Sequence, residues 1–237
     1  MTSVIQSLWI GERLSLMEKL CILSFLNHGH EFHLYAYQDI AGIPAGTVVL
    51  DGNEILPASR IFTYREHQTY AGFANFFRYK LLLEKGGWFV DADTVCIRPF
   101  QFEDDYVFSS EGINGRQLVN LGAVKVPSGS TIMQYLWETC EQMDIGELKW
   151  SQSGPTLLGK AVEKFSLQRY VQPWEVFCPV HFSVWEKMLD PSISWDFSTQ
   201  THAIHLWNEL WRRSNQDKDQ RYDANCLYER LKARYLA

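Results

Sequence analysis

Residues 86–100 read GGWFVDADTVCIRPF and place two aspartates, Asp91 and Asp93, directly after an apolar run. The two glycines favour the end of a helix, and the apolar residues after them are typical of a buried strand. Carboxylates buried without a partner are costly to desolvate. The pattern therefore raises the hypothesis that a divalent cation binds at the two aspartates.

The two-residue spacing supports this hypothesis. In one extended strand over residues 88–97, the side chains of Asp91 and Asp93 would share a face. The carboxyl end of such a strand is where α/β sheets bind ligands. Hard cations such as Mg²⁺ and Mn²⁺ prefer carboxylate oxygens and would relieve the repulsion between them. Because Asp-x-Asp is a short motif, a turn with two solvated aspartates is the alternative.

The helix predicted before this strand, residues 69–87, carries two polar side chains on one face. Asn75 and Arg78 are three residues apart and therefore point the same way. A guanidinium group near two carboxylates could orient them or hold a phosphate or sugar oxygen. The alternative is an exposed Arg78 that pairs with Glu84.

The rest of the chain alternates strand and helix patterns, which predicts an α/β fold in a single domain, residues 1–237. The helix over 153–165 has Ser153 as its expected cap and Pro155 in its first turn. The other predicted strands cover residues 3–10, 31–39, 104–112, 117–127 and 202–207. The other predicted helices cover residues 12–29, 130–143 and 222–237.

Composition narrows the class of partner. The chain is 46% apolar with nine Trp and eleven Tyr, which suits an aromatic core and also sugar- or base-binding faces. A net charge of −6 argues against nucleic acid as a partner. From Trp211 onward, seven basic residues outnumber four acidic ones. We interpret residues 212–237 as an amphipathic helical tail that contacts an anionic lipid surface or acceptor, or is simply a solvated helix.

The five cysteines are scattered and show no metal-binding or redox spacing. We expect free thiols in a reducing compartment. The sequence shows neither a signal-peptide pattern nor an apolar run long enough to span a bilayer. We therefore expect a cytoplasmic protein, with membrane association through the basic tail as an option.

The central block from Gly72 to Thr94 resembles the DXD sugar-binding region of family 32 glycosyltransferases and, more distantly, the glucosyltransferase domains of clostridial toxins. The shared features are a helix with a polar residue and an arginine, a glycine pair, an aromatic strand and Asp-x-Asp. Three weaker matches follow the family's order along the chain. They are SVIQSLWIG with Trp9, SGP with Gly154 and Pro155, and AIHLWNELW with His205, Trp207 and Trp211.

The resemblance implies a GT-A fold, that is, a Rossmann-like mixed sheet flanked by helices. It also implies a nucleotide-sugar donor with Mn²⁺ or Mg²⁺. In this sequence the cation would be held by Asp93 and Asp91, with His205 as a further contact to the metal or the diphosphate. The alternative is that His205 is a core histidine at the end of an apolar strand. The family retains the anomeric configuration of the transferred sugar.

The resemblance also implies contacts to the donor. Trp9 would stack on the base, and Asn75 and Arg78 would hold sugar hydroxyls, although the family often has Asp where this chain has Asn75. Asp91 would contact the ribose or sugar as well as the cation, and Asn120 would lie beside the sugar near the acceptor. The remaining implied donor contacts are Phe89, Gly154, Pro155 and Trp211.

The resulting hypothesis is a metal-dependent retaining glycosyltransferase that uses a nucleotide sugar, with a UDP-sugar favoured. Its acceptor would be a saccharide or lipid-linked molecule in surface polysaccharide synthesis. Two alternatives stay open. One is a haloacid dehalogenase-like phosphatase with Asp91 as nucleophile. The other is a non-catalytic sugar-binding module whose aspartates hold a structural cation.

Overall fold

The computed structural model describes residues 3–113 and 116–236, and it has a mixed α/β architecture. The strands are β1 Val4–Leu8, β2 Glu31–Ala36, β3 Thr47–Asp51, β4 Gly87–Val90, β5 Thr94–Cys96, β6 Val107–Ile113, β7 Arg116–Val126 and β8 Ala203–His205. The helices are α1 Leu16–Asn27, α2 Ala71–Glu84, α3 Thr131–Glu141, α4 Pro155–Lys164, α5 Trp174–Phe177, α6 Asn208–Arg213 and α7 Leu227–Tyr235. The predicted α/β class is confirmed.

Six strands form one sheet in the order β3–β2–β1–β4–β7–β6, and β5 pairs with β8 in a separate two-stranded sheet. The first four strands of that order are parallel, whereas β7 is antiparallel to β4 and β6 is antiparallel to β7. The carboxyl ends of β1 and β4 therefore meet at one edge. Residues that follow Leu8 and Val90 lie at this edge, where α/β sheets bind ligands.

The start of α1 is fixed by a capping box. The Ser15 side chain accepts a hydrogen bond from the Met17 amide, and Glu18 Oε2 accepts one from the Ser15 amide at 2.8 Å. These bonds satisfy amides that a helix start leaves without partners. The helix therefore begins at Leu16, and the prediction that it begins at residue 12 is wrong.

The junction between α2 and β4 depends on a glycine pair, as the sequence predicts. The Gly86 amide donates back to the Leu82 carbonyl at 3.0 Å, and Gly86 and Gly87 have φ values of +65° and +79°. A Cβ at Gly86 would lie 2.3 Å from the backbone nitrogen of Ser128. Glycine is required there because the turn is left-handed and touches the backbone after β7.

The prediction of a single strand over residues 88–97 is wrong. The chain leaves the main sheet after Val90, forms a turn over residues 91–93, and resumes as β5. The Asp91 amide donates to the Gly122 carbonyl at 3.1 Å, and the Thr94 amide donates to the Asp91 carbonyl at 3.0 Å. These two bonds close the turn, so the turn rather than strand pleating sets the direction of the two aspartates.

Two further boundaries differ from the sequence-based expectations. Gly154 rather than Ser153 precedes α4, and the Ser153 hydroxyl instead shares a hydrogen bond with the Tyr64 hydroxyl at 2.9 Å.

The segment expected as a tail over residues 212–237 contains the end of α6, a connecting stretch and α7. Helix α7 packs against the protein through Leu227, Tyr228, Leu231 and Tyr235, which are all buried.

Aromatic side chains form much of the core. Trp88, Tyr79, Tyr228 and several phenylalanines are fully buried. All five cysteines are buried as free thiols, in agreement with the sequence-based expectation. Over residues 3–113 and 116–236, every helix is too short or too polar to cross a membrane.

The glycine junction yields a stability prediction with a matched control. Gly129 has a φ of +69°, close to that of Gly86, but a Cβ there would meet nothing within 4 Å. We expect Gly129→Ala to lower the free energy of unfolding by about 1 kcal/mol through left-handed strain alone. Gly86→Ala adds a backbone clash and should cost about 1–3 kcal/mol more. Equal losses in urea unfolding would contradict the close approach at Gly86.

Candidate active site

Three side chains converge at the carboxyl edge of β4. Asp91 and Asp93 belong to the turn after β4, and His205 is the last residue of β8. The pairing of β5 with β8 sets Thr94 opposite His205, which brings the histidine to the turn. One ligand atom from each of Asp91, Asp93 and His205 lies within 4.8 Å of the other two. The structure thus brings together the three residues that the sequence assigns to a cation.

Asp93 is held from three directions. His205 Nε2 lies 3.2 Å from its Oδ1, and the Asn208 amide donates to its Oδ2 at 2.7 Å. The Leu206 amide donates to the Asp93 carbonyl at 2.9 Å. Trp207, between these two amides, has left-handed backbone angles of φ +60° and ψ +46°. This uncommon conformation for a bulky residue aims the Asn208 amide at the carboxylate.

The contact between Asp93 and His205 shifts the pKa values of both side chains. Burial favours neutral forms, but the charge and hydrogen bond of His205 and the Asn208 amide bring the pKa of Asp93 below its ordinary value. Burial likewise opposes charge on His205, yet Asp93 raises the pKa of the imidazole well above its usual range. Burial raises the pKa of Asp91, with Arg78 opposing and Asp93 reinforcing the rise. A cation between the carboxylates would remove their mutual repulsion.

Arg78 links α2 to the aspartate turn. Its side chain is buried, donates to Asn75 Oδ1 at 3.0 Å, and forms an ion pair with Asp91. The guanidinium carbon lies 4.6 Å from the centre of the Phe89 ring. The alternative partner Glu84 pairs instead with Lys80. Arg78 therefore fixes the orientation of Asp91, and the ring of Phe89 packs against the guanidinium group of Arg78.

Two residues expected at the donor lie in the core. Phe89 is buried and presents its ring to Arg78, and Trp211 is fully buried. The Trp211 ring packs against Trp185 and Tyr228, and its indole nitrogen donates to the Leu206 carbonyl at 2.8 Å. Direct donor contact by Phe89 and Trp211 is therefore wrong. The burial of these rings stabilises the elements that carry the site.

Gly154 and Pro155 lie beside Asn75. A Cβ at Gly154 would come within 2.9 Å of Asn75 Nδ2, so glycine allows the start of α4 to approach that amide. Pro155 is the first residue of α4. The Ser153 hydroxyl accepts from Asn75 Nδ2 at 3.5 Å. The Gly-Pro segment thus supports Asn75, and a contact from this segment to the donor stays a prediction.

Asn120 is buried, with its amide occupied by protein groups. Its Oδ1 accepts from the Gly122 amide at 3.1 Å and from the Ser109 hydroxyl, and its Nδ2 donates to Cys178 Sγ at 3.1 Å. The sequence places Asn120 beside the sugar. The structure places it behind His205, in contact with Cys178 rather than at an open surface.

Lys218 is a candidate site residue that no motif in the sequence indicated. Its ammonium group donates to Asn208 Oδ1 at 2.8 Å, pairs with the buried Glu18, and lies 5.6 Å from the centre of the Trp9 ring. Trp9 follows β1 and is half-buried, with its indole nitrogen bonded to the Arg13 carbonyl at 3.1 Å. The only sequence signal for Lys218 was its place in the basic C-terminal segment.

The buried ion pair yields a prediction. Arg78→Met removes the guanidinium partner of the Asp91 carboxylate, and we expect the free energy of unfolding to fall by about 1–3 kcal/mol. The pair of Arg60 and Glu141, whose side chains are 38% and 40% exposed, is the control, and Arg60→Met should cost less than about 1 kcal/mol. A double-mutant cycle of Arg78→Met with Asp91→Asn isolates the pair in chemical denaturation. A coupling energy near zero would show that Arg78 does not hold Asp91.

Comparisons with known proteins agree with the geometry. Residues 15–112 match the model of the glycosyltransferase sugar-binding region containing DXD motif. The PaToxG glycosyltransferase structure aligns with a TM-score of 0.54 at 16% identity, over 69% of this chain and 69% of that chain. The WbbM bifunctional glycosyltransferase aligns with a TM-score of 0.49 at 12% identity, over 100% of this chain and 52% of that chain.

A third structure, the glycosyltransferase GlyE of Streptococcus pneumoniae TIGR4, aligns with a TM-score of 0.41 at 12% identity, over 73% of this chain and 46% of that chain. No curated protein sequence matches this chain. At 16% identity the PaToxG alignment speaks for the fold, and the family model speaks for a sugar-binding region over residues 15–112. Together they confirm the predicted resemblance: residues 15–112 match the glycosyltransferase sugar-binding region containing DXD motif, and the chain has the fold of GT-A glycosyltransferases.

Proposed function

We propose that this glycosyltransferase moves a sugar from a nucleotide-sugar donor, with a UDP-sugar favoured, to a hydroxyl group of a saccharide or lipid-linked acceptor. The observation that carries the proposal is the convergence of Asp91, Asp93 and His205 at the carboxyl edge of the sheet. The two aspartates lie inside the region that matches the DXD family model. Surface polysaccharide synthesis is the biological setting that we favour.

The three side chains suit a divalent cation. Bonds of about 2.1 Å place opposite ligands of one ion about 4.2 Å apart, and the candidate ligand atoms lie within 4.8 Å of one another. Two carboxylates and an imidazole favour Mn²⁺ over Mg²⁺, because Mg²⁺ prefers an all-oxygen shell. A bound cation would act as a Lewis acid that stabilises the charge on the departing diphosphate.

Residues of the chain would position the rest of the donor. Trp9 offers an aromatic face for the base. Lys218 lies between Trp9 and Asn208, the residue whose amide binds Asp93. Because Glu18 and Asn208 accept two of its three N–H groups, we propose that the third donates to the diphosphate. An N–H donor held at that position would stabilise the charge that develops on the diphosphate as the sugar leaves.

Asp91 is the candidate contact to the donor sugar or ribose. About a third of its side chain is exposed, at 31%, whereas the Arg78 side chain is 3% exposed. We therefore assign Arg78 the role of orienting Asp91 rather than binding hydroxyls directly. Arg78 donates to the neutral side chain of Asn75 and forms its ion pair with Asp91. The charge of Arg78 therefore acts on Asp91 and holds that carboxylate in place.

We favour a front-face reaction with retention. The bond between the anomeric carbon and the diphosphate oxygen breaks, and a bond from the acceptor oxygen forms on the same face of the sugar. The acceptor proton passes to the departing diphosphate. The chain contributes by orienting donor and acceptor and by holding positive charge near the leaving group.

Membrane contact would involve the exposed basic residues of the C-terminal segment, residues 212–237. Lys218 pairs with Glu18 and Lys232 pairs with Glu229, so these two ammonium groups already have carboxylate partners. Arg212 and Arg213 are exposed, but both pair with Glu209. The other exposed basic residues in this segment are Arg221, Arg230 and Arg234.

Removal of the cation tests the proposal. We expect release of UDP from a panel of UDP-sugars, in the presence of simple saccharide acceptors, to stop in EDTA and to return with Mn²⁺. Liberation of inorganic phosphate from phosphate esters would instead favour the phosphatase alternative. Sugar binding without any turnover would favour the binding module. Unchanged turnover in the chelator would contradict the assigned cation.

Substitution of Asp93 tests the site itself. We expect Asp93→Asn to reduce turnover by at least about 100-fold, because even residues that only support metal ligands contribute about 10–100-fold. The matched control is Asp105→Asn, which makes the same charge change at an exposed position before β6. Circular dichroism should show both variants folded. Wild-type turnover in Asp93→Asn would rule out the assignment.

A further inference from the structure

Behind His205 lies a buried polar chain that the sequence did not reveal. Cys178 Sγ is 4.0 Å from His205 Nδ1, on the side of the ring away from Asp93. Asn120 Nδ2 donates to the same sulfur at 3.1 Å. Cys178 and Asn120 are 2% and 4% exposed, so both contacts are shielded from water. This thiol has no role in the function proposed above.

The chemistry of a histidine ligand explains what such a chain could do. A neutral imidazole carries one N–H, and a cation binds the other nitrogen. His205 directs Nε2 at Asp93, so a cation bound there requires the proton on Nδ1. That N–H needs an acceptor, which in metal sites is commonly a carboxylate or a backbone carbonyl. Among the residues that the structure describes, Cys178 Sγ is the hydrogen-bonding partner of Nδ1.

The orientation of the Asn120 amide is forced by the backbone. The Gly122 amide points at one end of the Asn120 side chain at 3.1 Å, and an N–H can only donate. That end must therefore be the oxygen, and the NH₂ group must face Cys178. The sulfur thus accepts from Asn120 with one of its two lone pairs, and the other can accept a hydrogen bond from His205 Nδ1.

The ring of His205 is confined on two sides. A Cβ at Gly122 would lie 3.3 Å from His205 Nδ1, so glycine leaves room for the ring. The Trp207 ring lies at 4.1 Å from the imidazole, centre to centre, with 37° between the planes. Gly122 and Trp207 therefore set the position of the His205 ring. The hydrogen bond to Cys178 then determines which ring nitrogen holds the proton.

We propose that Cys178, oriented by Asn120, is a positioning residue that keeps the proton of His205 on Nδ1 and leaves Nε2 free for the divalent cation. This inference rests on the proposed cation site. A neutral thiol suits the place, because a carboxylate would add a third negative charge behind Asp91 and Asp93. Asn120 consequently acts through Cys178 and His205 rather than on the sugar.

The test is Mn²⁺ affinity, measured from the electron paramagnetic resonance signal of free Mn²⁺, in a set of Cys178 variants. We expect Cys178→Ala and Cys178→Val to bind Mn²⁺ about 10–100-fold more weakly. Cys178→Ser keeps an acceptor and should stay within about threefold of wild type. Valine fills the space without accepting a hydrogen bond, so rescue by serine and not by valine separates hydrogen bonding from packing.

Cys140→Ala is the control for loss of a buried thiol, because Cys140 belongs to a different part of the core. It should leave Mn²⁺ affinity unchanged. A second readout is the ¹⁵N spectrum of the His205 ring with Mg²⁺ bound. Wild type and Cys178→Ser should show the proton on Nδ1, and Cys178→Ala should show a mixture of tautomers or loss of the bound form.

The outcomes separate the two proposals. Wild-type Mn²⁺ affinity in Cys178→Ala, together with loss of binding in Asp93→Asn, would overturn the role of Cys178 alone. Unchanged affinity in Asp93→Asn would overturn the cation site and this inference with it. Rescue by valine would also overturn the inference, because it would reduce Cys178 to a packing residue.

Discussion

The site depends on how the chain holds one buried carboxylate. Asp93 receives the Asn208 amide and faces His205, so residues 112 or more positions apart meet at a single side chain. A charge at this depth is tolerated only when it is paired and hydrogen-bonded. The β5–β8 pairing and the left-handed Trp207 both serve that requirement, since they bring the histidine and the amide to the carboxylate.

Two positively charged side chains, Arg78 and Lys218, lie near the two aspartates. Asp91 is paired with Arg78 on one side, and Lys218 lies on the other side between Asn208 and Trp9. Arg78 and Lys218 are each paired with a carboxylate of the protein, Asp91 and Glu18 respectively. The candidate site therefore combines carboxylates with N–H donors of Arg78 and Lys218 that are held in place, which suits a cation that binds a diphosphate group.

Much of this arrangement could be predicted from local sequence. The glycine pair ended α2, the spacing of Asn75 and Arg78 placed them on one face, and the Asp-x-Asp motif marked the turn. What local patterns could not supply is long-range contact. Pairing of Lys218 with Glu18 joins residues 200 positions apart, and no local pattern encodes it. The turn at residues 91–93 was missed because its closure depends on a carbonyl of Gly122.

The same limit explains the residues whose expected roles changed. Aromatic residues near a motif can either touch a ligand or fill the core, and sequence does not distinguish the two for Phe89 and Trp211. Asn120 has the polarity of a ligand contact, yet the bulged register of β6 and β7 turns its amide towards Ser109 and Cys178. Its place behind His205 emerges only from packing.

The most direct test of the account is calorimetric titration of UDP into the protein with and without Mn²⁺, with GDP as a second ligand. This titration tests whether Asp91, Asp93 and His205 hold a cation that joins the protein to a nucleoside diphosphate. We expect UDP binding that requires Mn²⁺. Preference for GDP would keep the site and change the donor. Absence of binding by both nucleotides in Mn²⁺, or binding that ignores the metal, would contradict the claim.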